Sequence, residues 1–180
     1  MKNGKGFIVD ELIGRKAFEQ LMAKYRPDSK LEIRYTDARF SPYDAAWDYV
    51  TKDGTKRTVL VEIKVRNATY SDYILEHAKF LGMDKIAFAT KKFRKDVTLL
   101  YVNFCPEATY IWDISKANEK HTLTSIWARK TTRGANTYED VEKRVFNLPT
   151  SEAQKYKFII DKQAIREELS NDPAHNDITF

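Results

Sequence analysis

A chain of 180 residues, 42% hydrophobic and 32% charged, is long enough to bury a core as one domain. It has no apolar run of membrane-spanning length and no signal-peptide core at its start, while a net charge of +5 and a pI of 9.1 favour a polyanionic partner without demanding one. The single cysteine, Cys105, excludes an internal disulfide and points to a reducing, cytoplasmic setting; His77, His121 and His175 lack zinc-ligand spacing, and there is no Walker-type phosphate loop or nucleophile elbow.

The first predicted element is a helix from Asp10 to Tyr25, with helical apolar spacing through Phe18, Leu21, Met22 and Tyr25 and a stop ahead of Pro27. Next, Asp44–Thr51 and Arg57–Val65 read as the two strands of a hairpin, joined at Lys52-Asp53-Gly54-Thr55. The return strand is unusual in holding Glu62 and Lys64 inside a β-branched run. Residues two apart on a strand share a face, so Glu62 and Lys64 project together while Val59, Val61, Ile63 and Val65 face the other way. Burying both charges is unfavourable unless they pair or bind something; an edge strand with its polar face in water is the plainer alternative. A strict two-residue loop at Asp53-Gly54 would set Asp44 against Ile63, on the wrong face. The loop Asp53-Gly54-Thr55 instead pairs Asp44 with Lys64 and Ala46 with Glu62. A longer turn or Gly-based bulge of this kind is expected, and it delivers Asp44, Glu62 and Lys64 to one face.

Downstream, a helix is expected from Asp72 or Tyr73 to about Gly82, burying Ile74, Leu75, Ala78 and Leu81. Ser71 or Asp72 caps it, Gly82 closes it, and Glu76 and Lys79 form a local ion pair. Lys85–Thr90, Thr98–Phe104, Thr109–Ile114 and His121–Trp127 read as strands, the middle two joined by Cys105–Ala108. Tyr101, Phe104, Tyr110 and Trp112 are read as packing residues rather than base-stacking platforms. The basic runs Lys91–Lys95 and Arg129–Gly134 are solvated loops or, in a nucleic-acid-binding protein, a phosphate-tracking surface holding Lys91, Lys92, Arg94, Lys130 and Arg133. A final helix, about Asp161 to Leu169, precedes a polar tail, 170–180, expected to be flexible.

Asp44 followed by Glu62-Ile63-Lys64, behind a helix bearing an acid, resembles the PD-(D/E)xK nuclease superfamily, which includes restriction endonucleases and archaeal-type Holliday junction resolvases. The resemblance covers residues 10 to 90; in Ser41-Pro42-Tyr43-Asp44 the proline stands one residue early. It implies an α/β, restriction-endonuclease-like fold, with a mixed central β-sheet flanked by helices, and divalent-metal-dependent hydrolysis of DNA. On that resemblance Asp44 and Glu62 bind Mg²⁺ or Mn²⁺, and Lys64 supports the nucleophile and the pentavalent phosphate. The run Gly14 to Phe18-Glu19 looks like the Gly-x-x-x-Phe-Glu helix of several members, which makes Glu19 the auxiliary metal-side carboxylate and Glu11 its competitor. Arg66, Tyr70 and Lys79 fall where members contact the DNA backbone.

The residue types suit that chemistry. Two neighbouring carboxylates repel one another unless a cation lies between them, and hard oxygen ligands suit Mg²⁺ or Mn²⁺. On the resemblance DNA is the expected partner and a membrane is not; a homodimer suits the cutting of two strands. Compact size and the general look of the chain resemble small phage or mobile-element nucleases. Two other readings stand beside this one. The first is a non-catalytic DNA-binding module on the same fold. The second is a virion or protein-interaction component using Tyr110 and Trp112 as an exposed contact surface.

Overall fold

The computed structural model describes residues 3–27, 31–36, 41–91, 96–129 and 140–173, with only the backbone of 3–8 and 129. Helix α1 (Asn3–Tyr25) buries Val9, Ile13, Ala17 and Leu21, a repeat of four that makes one apolar stripe, with Phe18 beside it. That stripe lies on Val59, Val61 and Ile63 of strand β3 (Lys56–Val65), the odd-numbered face of the strand. The same layer takes in helix α4 (Lys162–Ser170) through Ile165 and Leu169. Asp161 caps α4, its Oδ1 accepting from the N–H groups of Gln163 and Ala164 at 3.0 Å.

β3 is central in a mixed sheet. The other strands are β1 (Arg34–Tyr35), β2 (Ala45–Val50), β5 (Asp96–Phe104), β6 (Thr109–Asp113) and β9 (Gln154–Tyr156), in the order β1-β2-β3-β5-β6-β9. The β3–β5 pair is parallel and the others are antiparallel. A second sheet holds β4 (Asp72–Glu76), β8 (Asp140–Pro149) and β7 (Leu123–Arg129), in that spatial order. Together with helix α2 (His77–Lys91) it covers the even-numbered face of β3, where Leu60, Leu99 and Tyr101 meet Phe80, Met83, Leu75 and Phe146. A short helix, α3 (Ala117–Lys120), follows β6. The architecture is thus mixed α/β, a mixed multi-strand sheet flanked by helices. No described helix is long and apolar enough to cross a membrane.

The region 72–91 departs from expectation. In place of a helix over 72–82 and a strand over 85–90, β4 leads directly into α2. Tyr73 and Leu75 enter the core while Ile74 stays 42% exposed, the alternation of a strand. In α2 the buried stripe is Phe80, Met83 and Ala87; Leu81 is 49% exposed and Phe88 69% exposed. The strands expected at 98–104, 109–114 and 121–127 and the last helix are present as β5, β6, β7 and α4. Tyr101, Phe104, Tyr110 and Trp112 are all buried, which confirms them as packing residues and removes Tyr110 and Trp112 as a contact surface.

Gly82 lies within α2 rather than closing it. A Cβ there would stand 2.5 Å from Pro42 Cβ, so the helix rests directly on the segment that leads to Asp44. Alanine would gain about 1 kcal/mol in helix propensity, but it must displace a rigid ring, and overpacking costs about 1–3 kcal/mol. The clash outweighs the propensity. Gly82→Ala is expected to lower the urea midpoint, by roughly 1 kcal/mol of stability; an unchanged or raised midpoint would show that Pro42 yields freely.

Candidate active site

β2 and β3 pair from Ala45↔Val61 to Val50↔Lys56, leaving Thr51–Thr55 as the loop. Thr51 N–H donates to Thr55 O at 2.9 Å, and Gly54 takes the positive φ of 81° that this turn requires. Side chains fix the loop: Thr55 N–H donates to Thr51 Oγ1 at 3.1 Å and to Asp53 Oδ1 at 3.2 Å. These bonds stabilise a longer loop than Asp53-Gly54-Thr55, so the expected pairing of Asp44 with Lys64 is corrected. The ladder ends at Ala45↔Val61; Asp44, one residue before it, donates its N–H to Val61 O and lies close enough to Glu62 for their charges to act on each other. The slip is by an even number of residues, which keeps both acids on one face.

Asp44 stands where β2 ends and β3 runs on. Its N–H donates to Val61 O at 2.7 Å, and its carbonyl accepts from Thr36 N–H at 3.1 Å. Its side chain then replaces the next ladder acceptor, Oδ2 taking the Ile63 N–H at 2.6 Å. Near it Glu62 is 1% exposed, with Lys64 Nζ at 2.5 Å from one carboxylate oxygen and Lys79 Nζ at 2.9 Å from the other. Lys79 also donates to Ser41 O at 3.0 Å, tying α2 to the approach to Asp44. The expected Glu76–Lys79 pair is not made: Lys79 turns to the fully buried acid, and Glu76 takes Lys143 at 2.9 Å instead.

Burial, then the charge of Glu62, push the Asp44 carboxyl up to about 6 against the pull of Lys64, the Ile63 N–H and Lys79. For Lys64, burial opposes the ammonium, but Glu62 and Asp44 outweigh it and the pKa ends raised. Lys64 is thus a fixed positive charge. Tyr101, opposite Glu62 in the parallel ladder, is pushed up by burial and stays a neutral phenol.

Other expected site residues are dispersed. Glu19 is exposed, on the helix that packs against the opposite face of the sheet, where its charge acts on Tyr35. Its competitor Glu11 pairs with Arg15 at 2.7 Å. Arg66 does join the site face: Nε donates to Asn103 Oδ1 at 2.7 Å and Nη2 to the Tyr101 hydroxyl at 2.8 Å. Tyr70 is 57% exposed with its ring against Tyr73. Lys91 is exposed at the far end of α2, about 18 Å along the helix from Lys79. Lys92, Arg94, Lys130 and Arg133 lie outside the described residues. Asn103 and Lys162 belong to the neighbourhood without having been expected there. Asn103 has a signal in hindsight, a lone amide in the apolar run Leu99–Phe104.

No family model, curated protein or solved structure matches the chain. Among the described residues no three of His, Cys, Asp and Glu gather into a metal-holding group, so Glu19 does not complete a set with Asp44 and Glu62. Those two acids still fit a hard dication that keeps most of its waters. They share one face, burial and then the charge of Glu62 raise Asp44, and Asp44 Oδ1 has no hydrogen bond to any described residue.

Proposed function

We propose that this chain is a divalent-metal-dependent deoxyribonuclease with a restriction-endonuclease-like fold, hydrolysing DNA phosphodiester bonds at Asp44 and Glu62. The observation that supports this reading is the neighbouring carboxylate pair, with Lys64 and Lys79 on the buried acid. Asp44 and Glu62 would hold Mg²⁺ or Mn²⁺, which when bound supplies a Lewis acid that acidifies water and offsets phosphate charge. Lys64 presents a compact positive charge where negative charge grows on the phosphate oxygens during attack. Lys79 is a positioning residue: it holds Glu62 and the 41–44 segment in one arrangement. Two acids and two lysines leave the cluster neutral as it stands. A dication would make it positive and favour a phosphodiester.

A non-catalytic DNA-binding module is the second reading. It is favoured by the fact that both Glu62 oxygens are already held by lysines, a charge balance that is complete without metal. Labelled linear duplex, supercoiled, single-stranded and junction DNA, incubated with Mg²⁺ or Mn²⁺ beside EDTA and Glu62→Gln controls, separates the two. We expect metal-dependent cutting that falls on the order of 100-fold or more in Glu62→Gln. DNA bound in low salt with no cutting of any substrate would leave the second reading.

A further inference from the structure

We infer that Arg66, Asn103 and Lys162 form a second anion site beside the carboxylate pair, one that takes a phosphate group of a polynucleotide strand; its placement in a cleavage cycle rests on the nuclease reading above. Arg66 lies two positions past Lys64 on the same face of the β3 line. Its guanidinium is held by neutral groups alone, the Asn103 carbonyl oxygen at 2.7 Å, the Tyr101 hydroxyl at 2.8 Å and the Tyr73 ring at 5.9 Å. Lys162 Nζ reaches over from α4 and donates to Arg66 O at 3.0 Å and Asn67 Oδ1 at 2.7 Å, again neutral acceptors. Neither cation meets a carboxylate among the described residues. Several other half-buried cations are paired with carboxylates: Lys64 and Lys79 with Glu62, Lys16 with Glu168, Lys143 with Glu76.

Two positive charges without a carboxylate partner, both near enough to act on Cys105, favour an anion between them. Asn103 supplies an independent sign of that anion. It is 0% exposed, and because its Oδ1 accepts from Arg66 the orientation of the amide is set. Its Nδ2 then has no acceptor in hydrogen-bonding geometry, although Tyr101 is a neighbour. Thr69 Oγ1, in the loop leading away from Arg66, is a second buried polar atom without a partner. Orphaned buried donors are rare in folded proteins and ask for a ligand. A planar guanidinium with an adjacent amide donor and an ammonium suits the several oxygens of a phosphate group. Along an extended strand the Cα atoms of Arg66 and Glu62 are about 13 Å apart, while the Arg66 guanidinium turns to the hydroxyl of Tyr101, the ladder partner of Glu62. The second site therefore adjoins the carboxylate pair and suits a phosphate of the same strand next to the one held there.

Such a group is either a terminal phosphomonoester or an internal phosphodiester. Fluorescence anisotropy in EDTA, with matched 5′-phosphorylated and 5′-hydroxyl oligonucleotides and inorganic phosphate as competitor, tests the site apart from any cutting. Arg66→Gln is expected to weaken binding about tenfold and Lys162→Gln several-fold. A loss confined to the 5′-phosphorylated oligonucleotide assigns the site to a strand end, and an equal loss on both assigns it to an internal phosphate. Lys162→Gln changes only a partly exposed side chain, so it decides the matter should Arg66→Gln fail to fold. Parent-like binding by both variants, or a parent that binds neither oligonucleotide, overturns the proposal. A parent that binds through this site and never cuts sinks the nuclease reading alone.

Discussion

Asp44→Asn is expected to stabilise the metal-free protein by about 2 kcal/mol at pH 7.5 and by almost nothing at pH 4. The Asp44 carboxyl is pushed up to about 6 in the fold, first by burial and then by Glu62. An acid whose pKa is higher folded than unfolded holds its proton more tightly in the folded state. Its contribution to stability is therefore full below about pH 4 and is lost as pH rises through the folded value. The displacement corresponds to roughly 3 kcal/mol, reduced to about 2 because Asp44 keeps some contact with solvent. Asparagine retains an oxygen for the Ile63 N–H. Asp44→Ala orphans that amide and should be about 1–3 kcal/mol less stable than Asp44→Asn. Urea unfolding of the parent and both variants from pH 4 to pH 8 checks this. An Asn-minus-parent difference that does not change with pH would show that Asp44 ionises normally. Added Mn²⁺ should then favour the parent, since it stabilises only a fold that binds it.

The second large effect is an asymmetry in the cluster around Glu62. That acid is 1% exposed, while the lysine side chains holding it are 37% and 33% exposed. Removing both lysines strands a charge that cannot reach water, whereas removing the acid leaves lysines that can extend into it. The pair Lys64→Met and Lys79→Met should cost about 3–5 kcal/mol at pH 8, and adding Glu62→Gln to it should recover most of that loss. Glu62→Gln alone should cost about 1 kcal/mol or less. Denaturation of these three variants and the parent closes a double-mutant cycle. A Glu62→Gln cost equal to that of the two lysines would mean the lysines are as confined as the acid.

What the sequence discloses follows from how local each signal is. Alternation in Thr58–Val65 places Glu62 and Lys64 on one face whatever the partner strand, and parity keeps Asp44 with them. The register itself depended on Thr51 and Asp53 side chains closing a longer turn, which a count of Asp-Gly spacing does not contain. Over 72–91 a short strand passes into a helix without a break, so the alternation of Tyr73 and Leu75 merges with the stripe of Phe80, Met83 and Ala87. Strand β8 goes unseen because its first half, Asp140 to Arg144, pairs mainly with β7 and is rich in charge. Glu19 shows the limit of a helical wheel, which finds the edge of an apolar arc but not which face of the sheet the helix covers. Lys79 shows the converse. Glu76 is its natural local partner, yet the fully buried Glu62 wins it from across the fold.

The measurement that bears most directly on the account is Mn²⁺ binding, followed by loss of the free-ion electron paramagnetic resonance signal in the parent, Asp44→Asn and Glu62→Gln. Saturable binding by the parent that is lost in both variants is the predicted result. No binding by the parent, or binding left unchanged by both substitutions, would contradict a metal site at Asp44 and Glu62.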